Sequence, residues 1–340
     1  MAGAAQAGRP GMNDVAKMVG VSHQTVSRVL NDHPNVRPET REKVLEAIEA
    51  LGYRRNSAAR ALVTRRSATV GIVTSGSMQF GPATTLAVLE QSARAAGYFV
   101  SVATADEPTP ETMTQIFGSF MDQSVEGIVV IAPEERVANA ARAASAHVPV
   151  LLLAAMDAQP GDPTIVHVDQ RSGTRLLVRH LLELGHRDLV HVTGPPDWFD
   201  AIARRDAWRA ELAMAGVLPR DEIAGDWTAD AGYRAGQRLL TNLPDAVFAA
   251  NDQTALGLLH AFADGGVRVP EDVSVVGYDD VQGSDHFIPP LTTVRQDFDA
   301  LGRHAMDVLI GAVTGRLLAP VPIPPQLLVR ASTGPRLPGS

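Results

Sequence analysis

From residue 69 to residue 276 the chain alternates short apolar runs with longer amphipathic ones, and it does so in two series. In the first, strand-like runs at 69–74, 98–103, 127–131 and 148–153 are separated by helical patterns at 82–96, 110–121 and 134–146. In the second, helical patterns at 170–184, 201–215, 229–240 and 253–263 accompany strand-like runs at 189–192, 246–250 and 273–276. Regular β–α alternation leaves one economical solution, a parallel sheet with right-handed crossovers and helices on both faces. Two such series predict two similar lobes with a cleft between them. The runs at 164–168 and 291–294 are expected to cross between lobes, and the helix at 298–313 to return to the first. The expected core is 68–330, with lobe 1 at 68–166 and 296–325, lobe 2 at 167–294 and 326–333, and a flexible tail at 331–340.

Composition limits what else the chain can be. With 340 residues, 45% apolar and 20% charged, there is material for more than one globular domain. The absence of cysteine removes disulfides, Cys-ligated zinc and thiol nucleophiles together. No apolar run approaches the ~20 residues a membrane span needs. Residues 1–10 carry no apolar core of the secretory kind and read as a disordered lead-in, so a cytoplasmic location is expected. Charge is uneven. Residues 1–66 hold 11 Lys and Arg against 6 Asp and Glu, whereas the remainder holds 19 against 32. A basic front on an acidic body points to a polyanion approached by the front alone.

That front, 11–55, contains three short helical patterns. The first spans 12–19, with Val15, Ala16 and Val19 on one face. Gly20 suits a turn, and Ser22 stands where an N-cap belongs. The second spans 23–30, with Val26, Val29 and Leu30 apolar. The third runs from Pro38 to about Ala50, with Val44, Leu45 and Ile48 as its inner stripe and Gly52 closing it. Helix, glycine turn, helix is a helix-turn-helix. On the second helix His23, Gln24, Thr25, Ser27 and Arg28 face outward. Gln24 and Arg28 are four apart and share a face. Gln pairs bidentately with adenine and Arg with guanine in a major groove, while Thr25, Ser27 and the helix N-terminus suit phosphate. An ordinary solvated face of a three-helix module is the alternative. Residues 56–67 follow as a hinge segment and linker. Asn56 could cap a short helix too small to stand alone in water, Ala59 and Arg60 could meet groove and backbone, and Leu62 could wedge between base steps. A flexible basic linker is the alternative there.

Several stretches together, Asn13-Asp-Val-Ala-Lys17, Gly20-Val-Ser22, Gln24-Thr-Val-Ser-Arg-Val-Leu-Asn31, Glu39-Thr-Arg-Glu-Lys-Val44 and Leu51-Gly-Tyr53 with Asn56, resemble the lactose-repressor (LacI) family of transcriptional regulators. The resemblance continues through Ala250-Asn-Asp-Gln-Thr-Ala-Leu-Gly257, Val273-Ser-Val-Val-Gly-Tyr-Asp-Asp280 and Ile288-Pro-Pro-Leu-Thr-Thr-Val-Arg-Gln-Asp-Phe298, and covers about 13–330. It implies an N-terminal helix-turn-helix head and a core of two Rossmann-like lobes of the periplasmic-binding-protein type. It also implies DNA contacts from Ser22, His23, Gln24, Thr25, Ser27, Arg28, Asn31, Asn56, Ala59, Arg60 and Leu62, with Leu62 in the minor groove. Arg55 departs from the proline usual before the hinge asparagine.

In open α/β sheets, ligands sit beyond the carboxyl ends of strands. Ser75, Arg204, Asn251, Asp279, Gln296 and Phe298 fall near such ends, and Trp227 lies in a loop. Paired carboxylate and amide groups with an arginine suit vicinal hydroxyls, and aromatic rings cover a sugar's C–H face. Asp252, Asp280 and Asp297 read as helix N-caps. The family's galactoside-responsive members imply Arg204, Asn251 and Asp279 as hydroxyl ligands, with Trp227, Gln296, Phe298, Ser75 and Gln79 lining the pocket. Ala154 stands where those members carry an acidic residue, and Gln79 and Thr85 replace apolar ones, which leaves room for a different sugar or aglycone. The tail after Arg330 cannot form a heptad helix, so a homodimer on double-stranded operator DNA is expected. The expected function is a sugar-released repressor of sugar-utilisation genes without a cofactor. The alternatives are a transport-type sugar-binding protein and a corepressor-dependent family member. An enzyme is disfavoured, since the pairs Asp279 with His286 and His167 with Asp169 come without a nucleophile motif or phosphate loop.

Overall fold

The computed structural model describes residues 10–30, 33–53 and 66–336. The chain divides into two compact units, Met1–Ser67 and Ala68–Ser340. In the first, α1 (Met12–Val19), α2 (His23–Leu30) and α3 (Pro38–Leu51) enclose a small core of Val15, Ala16, Val26, Val29, Val44 and Ala47. Gly20 ends α1 at φ +72°, a left-handed conformation that a side chain disfavours, and this turn sets α2 against α1. The inner stripe of α3 differs from expectation. Leu45 is 51% exposed, and Ala47 takes the buried place. The spacing 44, 47, 48, 51 follows one helical face, and Leu45 lies off it.

In the second unit, lobe 1 carries a five-stranded parallel sheet. Its strands are β1 (Thr69–Thr74), β2 (Phe99–Thr104), β3 (Gly127–Ile131), β4 (Val150–Leu153) and β5 (Thr164–Val166), in spatial order β2-β1-β3-β4-β5. Helix α4 (Phe80–Ala95) covers one face, and α5 (Pro110–Asp122) and α6 (Glu135–Ala143) cover the other. Burial on both faces explains why β3 reads as an unbroken apolar run, Gly-Ile-Val-Val-Ile, rather than an alternating one. Lobe 2 has a four-stranded parallel sheet of order β7-β6-β8-β9, from β6 (Leu189–Thr193), β7 (Ile223–Ala224), β8 (Ala246–Ala249) and β9 (Ser274–Val276). Helices α7 (Gln170–Glu183) and α8 (Phe199–Met214) pack on one face, and α9 (Ala229–Leu239) and α10 (Asp252–Asp264) on the other.

Three strands of chain link the lobes. The first follows β5, which is an edge strand of lobe 1, and makes a parallel bridge between Val168 and Ile323. The second is β10 (Thr293–Arg295), which leads into α11 (Phe298–Val313) on the α4 face of lobe 1. The third returns to β11 (Gln326–Leu328), antiparallel to β10. Strands β7 and β11 are too short to show a period in the sequence.

The chain end also differs from expectation. Residues 331–336, read as part of a flexible tail, are bonded into lobe 2. Ser332 is fully buried. It accepts from the Thr292 amide at 2.7 Å and donates to the Val275 carbonyl at 2.6 Å, while the Arg336 amide reaches the Leu184 carbonyl at 2.9 Å. Small polar residues there supply bonds that a neighbouring element lacks, a role composition does not reveal.

Candidate nucleic-acid interface and ligand cleft

In the head, Ser22 caps α2: its hydroxyl accepts from the Thr25 amide at 3.2 Å and lies 2.9 Å from the Thr25 hydroxyl. This ties down the helix N-terminus, where backbone N–H groups favour an anion. His23, Gln24 and Arg28 are exposed, and Thr25 and Ser27 are half-buried beside the buried Val26 and Val29. The core therefore orients three long polar side chains outward on a short rigid helix. Asn31, Asn56, Ala59, Arg60 and Leu62 lie outside the described residues.

In the core, four side chains from four elements close a ring of hydrogen bonds. Arg204 of α8 donates from Nε to Gln170 Oε1 at 3.0 Å. Gln170, at the start of α7, donates from Nε2 to Gln296 Oε1 at 2.8 Å. Gln296, after β10, donates from Nε2 to Asp279 Oδ1 at 2.7 Å, and Arg204 Nη2 meets the same oxygen at 3.3 Å. All four are buried. A buried ion pair is tolerable only when such bonds satisfy its remaining donors and acceptors. Arg204 also donates to the Ala250 carbonyl, and its guanidinium lies 3.7 Å from the Tyr278 ring centre. Burial pushes the Asp279 carboxyl up to about 6, against the lowering effects of Arg204 and Gln296.

Asn251 caps α10, accepting from the Thr254 amide at 2.9 Å, and its Nδ2 donates to the Trp227 carbonyl at 3.0 Å. Trp227 holds φ +71° and Asp279 φ +110°, conformations that non-glycine residues seldom adopt. Such strain, about 1–3 kcal/mol each, persists where surrounding contacts over-determine it, and functional sites concentrate it. The Trp227 ring is held by Gly194, where a Cβ would come within 2.4 Å of it, and by an edge contact to Trp198 at 5.6 Å.

These residues frame two adjoining hollows between the lobes. The smaller, about 310 Å³, takes Gln79, Arg204, Trp227, Asn251, Asp279 and Gln296 into its wall. The larger, about 490 Å³, includes Phe298 and Gln296. Ser75 lines neither. Its hydroxyl is buried at the end of β1 with no hydrogen-bond partner among the described residues.

Three other expectations on side chains need correction or support. Asp252 does not cap α10, because Asn251 does. Asp252 is fully buried and accepts from Thr293 Oγ1 at 2.6 Å and the Val281 amide at 2.8 Å. Asp280 caps no helix either, and instead receives Arg330 at 2.6 Å, Arg295 at 2.7 Å and Ser284 at 2.9 Å. Asp297 does cap α11, accepting from the Ala300 amide at 2.7 Å. Of the acid–base pairs weighed, His286 is exposed and faces Asp285, and Asp169 caps α7. Sequence reasoning missed Gln170, Trp198 and Asp200. Asp200 is one turn before Arg204 on α8, and that i, i+4 spacing was the available signal.

No helix among the described residues is long and apolar enough to cross a membrane, and no His, Asp and Glu group there could hold a metal ion. Residues 11–56 match the bacterial regulatory proteins of the lacI family, and residues 178–333 match the periplasmic binding protein-like domain. The lactose operon repressor of Escherichia coli K12 is 37% identical over 316 residues, covering 91% of this chain and 87% of that one. The regulator CelR of Thermobifida fusca is 35% identical over 325 residues, covering 92% of this chain and 94% of that one. Among solved structures, the lac repressor dimer bound to operator and the anti-inducer ONPF superposes with a TM-score of 0.81 at 34% identity, covering 96% of this chain and 99% of that one. A CelR–cellobiose complex superposes at 0.67 with 32% identity, covering 95% of this chain and 100% of that one. A helix-turn-helix head joined to a two-lobed core of this kind defines a DNA-binding transcriptional repressor with a sugar-binding regulatory domain. The chain belongs to the lacI family of bacterial regulatory proteins.

Proposed function

We propose that this protein is a homodimeric repressor of sugar-utilisation genes that leaves its operator when a galactoside occupies the cleft. The observation that carries the ligand reading is the ring of Arg204, Gln170, Gln296 and Asp279 beside Asn251 and Trp227. It gathers guanidinium, amide and carboxylate groups of the kinds that bond to sugar hydroxyls, with an aromatic wall for the C–H face. Gln79 and Phe298 complete the wall, and Ser75 is assigned to it on the sequence resemblance alone. On the DNA side, His23, Gln24 and Arg28 read base edges, while Ser22, Thr25, Ser27 and the α2 N-terminus hold phosphate. Asn31, Asn56, Ala59, Arg60 and Leu62 are assigned to DNA on the same resemblance.

The mechanism is a two-state one. Ligand favours one arrangement of the lobes, and operator favours the other, so each weakens the other by the same factor. A coupling of about 1–3 kcal/mol changes operator affinity roughly 5–150-fold. The proposal makes the protein a cytoplasmic regulator and not an enzyme. The test is operator binding by the whole protein with and without galactosides. Loss of the complex on adding a galactoside supports the reading. Tighter binding would make the ligand a corepressor, and absence of any operator preference over scrambled duplex would leave a sugar-binding protein alone.

A further inference from the structure

We propose that Glu126 is a positioning residue through which the core controls the DNA-binding head: its carboxylate latches the backbone where the hinge segment enters lobe 1. This rests on the two-state reading above and names a part that carries it.

The core unit begins at Ala68, so a change passed along the chain from core to hinge passes through this residue. Ala68 holds φ +49°, a left-handed conformation that alanine keeps only where its surroundings impose it. Both of its main-chain groups are engaged. Its amide donates to Glu126 Oε1 at 2.9 Å, and its carbonyl accepts from the Phe99 amide at 2.7 Å. Strand β1 begins one residue later, at Thr69, so the Ala68 amide lies outside the strand and the carboxylate supplies its acceptor. A charged acceptor makes the stronger bond. Glu126 is itself held. The Tyr98 hydroxyl donates to its Oε2 at 3.4 Å, and its own amide donates to the Thr69 carbonyl at 2.8 Å.

Tyr98 and Glu126 stand one residue before β2 and β3, and β1 lies between those strands. The latch therefore ties the starts of three adjacent strands at one corner of the sheet. Packing connects that corner to the cleft. Tyr98 is buried in the apolar cluster against which Ala68 packs, and the same cluster holds Val168 and Ile323 of the crossovers and Phe298 of the cleft wall. A close-packed core has low compressibility and passes a displacement on. A shift of the crossovers thus reaches the latch, and release of its one side-chain bond lets Ala68 return to a negative φ and redirect the chain before it.

The test uses the full chain and the duplex that the parent selects from a random pool. Operator affinity is measured with and without methyl β-galactoside or cellobiose, and sugar affinity is measured separately without DNA. Glu126→Ala is expected to weaken operator binding at least 10-fold without sugar and to leave a sugar-induced change below 2-fold. Its sugar affinity should stay within 3-fold of the parent's, which a general loss of lobe structure would not allow. Glu126→Gln keeps an acceptor for the Ala68 amide and should restore both operator affinity, to within 3-fold, and release by sugar. Tyr98→Phe keeps the ring in the core and loses the hydroxyl. It covers the case in which Glu126→Ala does not fold, and should weaken operator binding about 3-fold. Parent-like operator affinity and release in Glu126→Ala, or in Tyr98→Phe where that variant stands in, would overturn the latch. So would a loss that Glu126→Gln does not recover, or one matched by an equal loss of sugar affinity. If neither sugar shifts the parent's operator affinity, the sugar reading fails, and the latch stands or falls on the operator affinities of Glu126→Ala and Glu126→Gln.

Discussion

Arg204 and Asp279 meet at 3.3 Å although 75 residues separate them, and 2% and 8% of their side chains remain exposed. Each is the other's principal charge partner in a site that also binds Gln170 and Gln296 into one network. Removing Arg204 leaves a buried carboxylate unpaired, a loss of about 3–5 kcal/mol. Arg204→Ala is predicted to keep operator binding but to abolish release by ligand. Arg204→Lys keeps the charge and loses the fork, so it should retain most stability while weakening ligand at least 10-fold. Normal release by either variant, measured on an operator fragment, would remove Arg204 from the site.

Ligand affinity should fall as the medium is acidified through pH 6. Burial raises Asp279 to about 6, so protonation below that value removes an acceptor for ligand hydroxyls. Affinity is expected to be steady from pH 8 to 7 and to weaken from 6.5 to 5. Asp279→Asn should bind more weakly and show a flat profile. A parent protein with constant affinity across this range would contradict the assignment.

Stability is predicted to depend on pH through Asp252. Burial, reinforced by the charge of Asp279, raises its carboxyl to about 8. An unfolded aspartate titrates near ~3.9, so between these values the folded chain binds the extra proton. That contribution is complete below pH ~4 and is lost as the pH rises through about 8. Asp252→Asn can still accept from the Val281 amide, and Thr293 can turn its hydroxyl to accept from the new amide. Denaturant midpoints of the parent should therefore decline from pH 6 to 9, and those of the variant should change less.

Gln24→Ala is predicted to relax base choice at one operator position, costing about 1–3 kcal/mol on the preferred site. Its effect on melting should be small, because Gln24 is exposed. Competition with operator variants measures this, and a uniform loss across all variants would assign Gln24 to phosphate instead.

Gly194→Ala would drive a methyl group to 2.4 Å from the Trp227 ring. Overpacking of this kind costs about 1–3 kcal/mol. Since Asn251 holds the Trp227 carbonyl, displacement should also weaken ligand binding while operator affinity without ligand is retained. A ligand affinity equal to the parent's would show that the Trp227 ring is not needed for it.

Much of this architecture was readable before any coordinates. The β–α alternation, the turn at Gly20, the cap at Ser22 and the helix from 298 to 313 are local patterns, and short-range sterics and periodicity decide them. Leu45 and Asp252 show where local reading ends. Both sit within or at the start of correctly located helices. Whether Leu45 faces in, and whether Asp252 or Asn251 serves as the cap, is set by neighbours that the helix itself does not specify.

The amino-acid order by itself determined two parallel lobes, a helix-turn-helix head and the chemical types available to each. Only the tertiary structure decided that Gln170, Arg204, Asp279 and Gln296 form one closed ring, that Asp200 joins two hollows, and that Ser332 belongs to lobe 2. The physical reason is range. Helix and strand patterns arise from forces acting over a few residues, whereas Gln170 and Gln296 meet across 126 residues because the crossovers between lobes bring their strand ends to one place.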